Sequence, residues 1–181
     1  DYEANAYLLD NQPQAALDVI ERRQRRSTTI ASQVIEAQAL LASGRDAHAQ
    51  GVADDISHAY PKHVGAVCGA AHIYAGLGRF DHARLLLEGY LAHRPGDQLA
   101  TLTLARLAYE AGDADAADDY VQRLGAGIPT ELGNDHLQQL EQLLVTMGRA
   151  ESAKAVQLEL GRRRQVELAA LQQTLAPYTA Q

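Results

Sequence analysis

The chain has 181 residues, which suits one compact domain or a short array of repeats. Hydrophobic residues make up 46% of it but aromatic residues only 5%, with no Trp, so a core has to come from many Ala and Leu contacts between closely packed helices. A net charge of −7 argues against a general affinity for nucleic acid, which requires a basic surface, and leaves a local basic patch as the alternative.

Cys68 is the only cysteine, so no internal disulfide and no cysteine-rich metal site can form. No apolar run reaches the roughly 18 residues needed to span a bilayer, and the first residues lack the basic and apolar regions of a signal peptide. We therefore expect no direct membrane insertion by this chain. Because it begins at Asp1 rather than Met, we expect it to be part of a longer or processed polypeptide.

The first segment, 1–29, indicates an incomplete unit of two helices. Residues 2–10 have the pattern of a helix end, and Asn11 follows as a turn residue that tolerates the left-handed conformation. Pro13 suits the first turn of the next helix. Ala16 lies five residues after Asn11, as a small residue does after the turn in the later units.

Three regular units follow, and three kinds of residue recur in them at a period of 34. The units are 30–63, 64–97 and 98–131. Glycine between two helices permits positive φ, alanine in the second helix permits close packing, and proline ends the unit. The recurring residues are Gly44, Gly78 and Gly112; Ala49, Ala83 and Ala117; and Pro61, Pro95 and Pro129. Three repeats in one register predict antiparallel helix pairs of fixed length.

The last part of the chain departs from this period. In the degenerate unit 132–165, Gly148 takes the turn position and Ala153 the small-residue position, and no proline follows. The apolar pattern then continues past Gly161, where we expect a bend. We interpret 166–181 as a capping helix into which the last repeat helix continues or toward which it bends, because a terminal repeat needs a cover for its open apolar face.

The period and its marks resemble the tetratricopeptide repeat, a 34-residue helix pair. The central unit carries the resemblance at Val67, Ala70, Ala71, Tyr74, Ala83, Leu87 and Pro95. The resemblance implies an all-α fold, an α-solenoid of antiparallel helix pairs that forms a single array over residues 1–181. A helical solenoid with longer repeats is the structural alternative.

The resemblance further implies that the first helices line a concave groove that binds a peptide or a partner protein. Helical phase then gives the candidate partner-binding residues as Gln38, Leu41, His72, Arg106, Tyr109 and Gln142. Gln38, His72 and Arg106 are 34 residues apart, so we expect them to form a polar ridge along the groove. The alternative for each position is an ordinary solvated helix residue.

Catalytic and metal-binding patterns are missing from the sequence. Cys68 and His72 share a helix face, but no further ligand or orienting carboxylate accompanies them, and a small buried thiol is the preferred interpretation. No phosphate-binding loop, Ser-His-Asp arrangement or EF-hand spacing is present. We expect a protein that is not an enzyme and that has no cofactor, no catalytic residues and no metal.

A second hypothesis belongs to a different class of function. The Ala-, Asp- and Arg-rich repeats look similar to tetratricopeptide arrays in bacterial proteins that export exopolysaccharides such as cellulose. The chain would then be a periplasmic scaffold or spacer segment beside an outer-membrane barrel, with a polysaccharide as a possible partner. The compartment is open, and we favour the periplasm weakly over the cytoplasm.

Overall fold

The computed structural model describes residues 2–24, 29–124 and 129–179, and all regular structure in these ranges is helical. The predicted all-α class is therefore confirmed. The helices in chain order are α1 (Tyr2–Leu9), α2 (Pro13–Gln24), α3 (Ile30–Ala42), α4 (Asp46–Ala59), α5 (Val64–Gly76), α6 (Phe80–His93), α7 (Gln98–Glu110), α8 (Ala114–Arg123), α9 (Asn134–Thr146) and α10 (Ala150–Thr179).

Each first helix ends in the same tight turn. At Gly78 the φ angle is 74°, its N–H donates to the carbonyl of Ala75 at 2.8 Å, and the N–H of Arg79 donates to the carbonyl of Tyr74 at 2.8 Å. These two bonds define the Schellman motif, which satisfies carbonyls at a helix end and needs a left-handed residue. The same pair of bonds and a positive φ occur at Asn11, Gly44, Gly112 and Gly148. A left-handed residue therefore closes the turn between the two helices of each pair.

Within the described ranges, the alanines of the pattern each lie at the fourth position of the second helix, and two of the prolines follow a helix end. The alanines Ala49, Ala83 and Ala117 are each 0% exposed, which places small residues where the second helix of each pair is packed. Pro61 and Pro95 each lie two residues after the end of the preceding helix. Pro129 follows the residues 125–128, which lie outside the described ranges.

The chain divides into two compact units, Asp1–Tyr120 and Val121–Gln181. In the first unit the first helices α1, α3, α5 and α7 each approach the next one within 8 Å between Cα atoms. Among the described residues, the second helices α2, α4 and α6 have no such approach to one another. The first helices therefore form the inner layer of this unit, and the second helices form its outer layer.

The second unit contains α9 packed along α10, where Ala153, Val156 and Leu160 are buried. The helix α10 continues through Gly161, so the predicted capping segment 166–181 is, as far as Thr179, the second half of the same helix. A glycine inside a helix lowers stability by about 1 kcal/mol relative to alanine. Residues on both sides of Gly161 form a cluster of ion pairs. Glu159 accepts hydrogen bonds from Arg162 at 2.7 Å and from Arg163 at 2.9 Å.

The second half of α10 extends past the first residue of α9 and is exposed to solvent. Its side chains Val166, Leu168 and Leu171 are 57%, 58% and 58% exposed. Asn134, the first residue of α9, hydrogen-bonds Glu167 at 3.0 Å, which marks where the two helices stop running side by side. Two statements remain predictions: that this segment covers the open apolar face of the last repeat, and that residues 1–181 form a single array.

Two glycines allow α3 and α5 to approach each other closely. A Cβ atom at Gly69 would lie 2.5 Å from Cγ2 and 3.0 Å from Cγ1 of Val34. A Cβ atom at Gly76, seven residues further along α5, would overlap with Leu41 in the same way. Val34 and Leu41 are also seven residues apart, so two side chains of α3 occupy two glycine positions on one face of α5. Neither glycine belongs to the 34-residue pattern.

We predict that Gly69→Ala lowers the free energy of unfolding by about 1–3 kcal/mol in urea denaturation, because the β-branched Val34 cannot move both methyl groups away. The matched control is Gly89→Ala on α6, where nothing lies within 4 Å of the added Cβ atom. That substitution should raise stability by about 0.5–1 kcal/mol, since alanine favours the helix. In the Val34→Ala background, Gly69→Ala should cost less. Equal effects of the two glycine substitutions would contradict the close approach.

Candidate binding surface

The middle of α5 reaches the surface through one side chain. Every residue from Ala66 to Ala75 is buried except His72, which is half-buried. The helix is surrounded, because it packs against α3, α4, α6 and α7. His72 is therefore the side chain through which the middle of α5 can present a polar group at the inner layer.

His72 and Arg106 are joined by a hydrogen bond between α5 and α7. Nη2 of Arg106 donates to Nε2 of His72, so the imidazole accepts. Nε of Arg106 lies 3.5 Å from Oε1 of Glu110, and the two side chains are 31% and 49% exposed. This buried Nε has no hydrogen-bond partner, so the nearby carboxylate compensates it only electrostatically. The structure thus brings together two of the three residues of the predicted ridge.

The surroundings of His72 keep its ring neutral. Burial, and then the positive charge of Arg106, lower the pKa of His72 from 6.5 to about 3. A neutral imidazole has one nitrogen free to accept, which is what the bond from Arg106 requires. The cation at this surface is therefore Arg106, while His72 positions it.

The other predicted residues are more dispersed. Gln38 is half-buried on α3, and Tyr109 is half-buried on α7, three residues after Arg106. Leu41 is half-buried against Gly76, so it contributes to the contact between α3 and α5. Gln142 is exposed on α9 in the second unit. A partner-binding role for these residues remains a prediction.

Cys68 lies below this surface. Its side chain is 5% exposed, and Oγ1 of Thr103 donates a hydrogen bond to its sulfur at 3.4 Å. Burial raises the pKa of the Cys68 thiol to about 11, so the reactive thiolate is not populated near neutral pH. Within the described ranges, no group of three or more His, Cys, Asp or Glu residues is placed to hold a metal ion.

Tyrosine–carboxylate bonds tie the two layers together, and the sequence analysis missed them. Tyr74 on α5 donates to Asp54 on α4 at 2.5 Å, and Tyr90 on α6 donates at 2.8 Å to Asp97, the residue before α7. Burial, and then these bonds, raise the pKa values of Tyr74 and Tyr90 to about 12. A tyrosine on a buried helix face needs a hydrogen-bond partner for its hydroxyl. That requirement was the feature of the sequence from which these bonds could have been predicted.

We predict that His72 makes the protein less stable as the pH falls. Between pH 6.5 and about 3 the unfolded chain binds a proton at this residue and the folded chain does not, so protons favour unfolding. From pH 7.5 to 5 this costs about 2 kcal/mol. The variant His72→Gln keeps an acceptor for Arg106 without titrating. In urea denaturation at both pH values it should lose about 2 kcal/mol less than the unchanged protein; equal losses would refute the assignment.

Comparisons with known proteins agree with this architecture. A family model described as tetratricopeptide repeat matches residues 74–132. A tetratricopeptide repeat protein from Parabacteroides merdae superposes with a TM-score of 0.63 at 14% identity, over 88% of this chain and 62% of that one. A thermophilic TPR protein from Thermus thermophilus gives a TM-score of 0.62 at 20% identity, over 93% of this chain and 96% of that one. The chain thus spans less than two thirds of the Parabacteroides protein.

At these identities the two structures establish the fold alone. No curated protein matches the chain in sequence. In the part of the chain that the structure describes, none of the helices combines the length and apolar character needed to cross a membrane. Nothing in these comparisons concerns polysaccharide export, and that alternative stays a prediction. The family match and the related solved structures together support a tetratricopeptide repeat domain.

Proposed function

We propose that this chain is a non-catalytic scaffold that binds a peptide or a partner protein along the inner layer formed by α3, α5 and α7. Tetratricopeptide repeat domains bind protein partners, which supports the general class of function. The observation that supports the more specific proposal is the bonded pair His72–Arg106, which places a fixed polar group at the otherwise buried middle of α5.

The pair is suited to recognition because it is already ordered. Association costs free energy for every side chain that becomes immobilised, and Arg106 is held by His72 and by Glu110 before a partner arrives. Tyr109 lies one helical turn away on α7, and Arg and Tyr are residue types that often dominate binding energy. A partner that supplies an acceptor to the guanidinium would meet a preorganised donor.

We predict that the triple variant His72→Ala, Arg106→Ala, Tyr109→Ala loses at least one protein partner. In quantitative affinity capture the recovery of at least one specific partner should fall at least about tenfold, which corresponds to about 1.4 kcal/mol. The readout is the mass-spectrometric intensity of each partner relative to the unchanged chain, with photo-crosslinking from position 109 of that chain as an independent measure of contact.

The chain offers a control with the same three residue types on the outer layer. Arg45, His48 and Tyr60 are exposed at or beside α4, so replacing all three by alanine removes the same chemistry from the other face. This control should keep every partner. Circular dichroism and thermal unfolding establish that both variants fold. If the folded inner-layer variant captures every partner as well as the unchanged chain does, the proposal is wrong.

A further inference from the structure

A small pocket opens on the outer side of the first unit. It lies between the second helices α6 and α8, with residues of α7 as its floor. The floor is apolar: Leu104 and Leu107 are buried, and the ring of Tyr120 on α8 is 7% exposed. Half-buried Phe80 on α6 and Ala108 on α7 form parts of the wall. None of these residues belongs to the inner-layer surface described above.

The size of the pocket limits what can occupy it. Its volume is about 100 Å³. Sites for cofactors and drug-sized ligands are about 300–1,000 Å³, and an engineered cavity that takes benzene is about 150 Å³. The pocket therefore fits a single aliphatic side chain, the kind of buried anchor that centres many protein interfaces.

The rim of the pocket is negative. It carries Asp81 and Asp113, and Glu88 lies at its edge, where it accepts a hydrogen bond from the hydroxyl of Tyr120 at 2.8 Å. Arg84 is the cation at the rim and is already paired, with Nη2 3.1 Å from Asp81 and Nη1 3.7 Å from Glu88.

Two helix ends modify this balance without reversing it. The N-termini of α6 and α8 each contribute about half a positive charge near the pocket. The carboxylates Asp81, Asp113 and Glu88, set against one guanidinium and two helix ends, leave the rim negative by about one charge.

The charge of the whole first unit has the same sign. Residues 1–120 contain 17 of the 23 acidic and 10 of the 16 basic residues, so they carry the entire net charge of −7. Residues 121–181 contain the remaining six of each and are neutral. An approaching basic segment is therefore attracted to the first unit before it reaches the pocket.

We propose that this pocket is a second docking site, which takes the aliphatic side chain of a partner segment in which that residue is flanked by arginine or lysine. The apolar floor removes the side chain from water, and the flanking cations meet Asp81 and Asp113 at the rim. The site is on the outer layer and does not depend on the inner-layer function.

The test uses the full 181-residue chain with its alanine methyl groups labelled for NMR. The probes are three capped tripeptides: acetyl-Arg-Leu-Arg-amide, acetyl-Arg-Gly-Arg-amide and acetyl-Glu-Leu-Glu-amide. The first should shift the methyl signals of Ala108, Ala111 and Ala116, with a dissociation constant in the millimolar range. The second lacks the anchor and the third has the wrong charge, so each should bind at least about fivefold more weakly.

Two substitutions locate the site. Ala108→Leu fills the pocket and should abolish the shifts of the remaining pocket methyls, whereas Ala92→Leu, at an exposed position of α6, should leave them unchanged. Asp81→Lys should weaken binding at least about threefold more than Asp55→Lys, which makes the same charge change on the exposed face of α4. If Ala108→Leu does not fold, the aspartate pair still decides.

Three results would overturn the assignment. The first is an absence of methyl shifts with acetyl-Arg-Leu-Arg-amide at about 10 mM, well above the expected dissociation constant. The second is equal binding of the acidic probe. The third is unchanged binding by a folded Ala108→Leu variant or, if that variant does not fold, equal weakening of binding by Asp81→Lys and Asp55→Lys.

Discussion

The structure depends on one local constraint, the reversal of the chain through a left-handed residue at the end of every first helix. Five such residues have φ between 55° and 85°, and each is closed by the same two backbone hydrogen bonds. The bonds satisfy carbonyls that a helix end would otherwise leave open, so the second helix starts in the same orientation in every pair. In Asp1–Tyr120, similar turns at nearly equal spacing then allow one helix pair to stack on the next.

Stacking at equal spacing explains why residues far apart in the chain meet. His72 and Arg106 occupy the same position in consecutive 34-residue repeats, and the contact between α5 and α7 brings their side chains together. The same layer that buries nearly all of α5 keeps the imidazole neutral, because burial and the guanidinium both disfavour a proton on the ring. The packing of α5 against α7 therefore accounts for the hydrogen bond, for the neutral state of His72 and for the proposed binding surface.

The first unit presents two different surfaces for this reason. On the inner layer the first helices are crowded, and the polar group is held by neighbours in the fold. On the outer layer the second helices stand further apart, and the space between α6 and α8 is filled only as far as Leu104 and Leu107. The negative rim follows from carboxylates that stabilise the positive ends of these two helices. A scaffold with such surfaces can hold two segments of different chemistry.

The sequence by itself determined the helix pairs, the turn residues and the small contacts at Ala49, Ala83 and Ala117. These follow from local properties, because a positive φ or the absence of side-chain bulk is a requirement of a single position. It also placed His72 and Arg106 one period apart, but it could not give their hydrogen bond or the neutral state of the ring. Both depend on how α5 and α7 lie side by side and on how much water is excluded there.

The tertiary structure alone decided the remaining features. Gly69 and Gly76 have no counterpart in the 34-residue pattern, and their role appears only when Val34 and Leu41 of another helix lie against them. The partners of Tyr74 and Tyr120 are 20 and 32 residues away, at separations that no single-helix pattern encodes. The outer pocket is likewise a gap between three helices. Such features depend on the distance and angle between helices, which are set by the summed packing of many side chains.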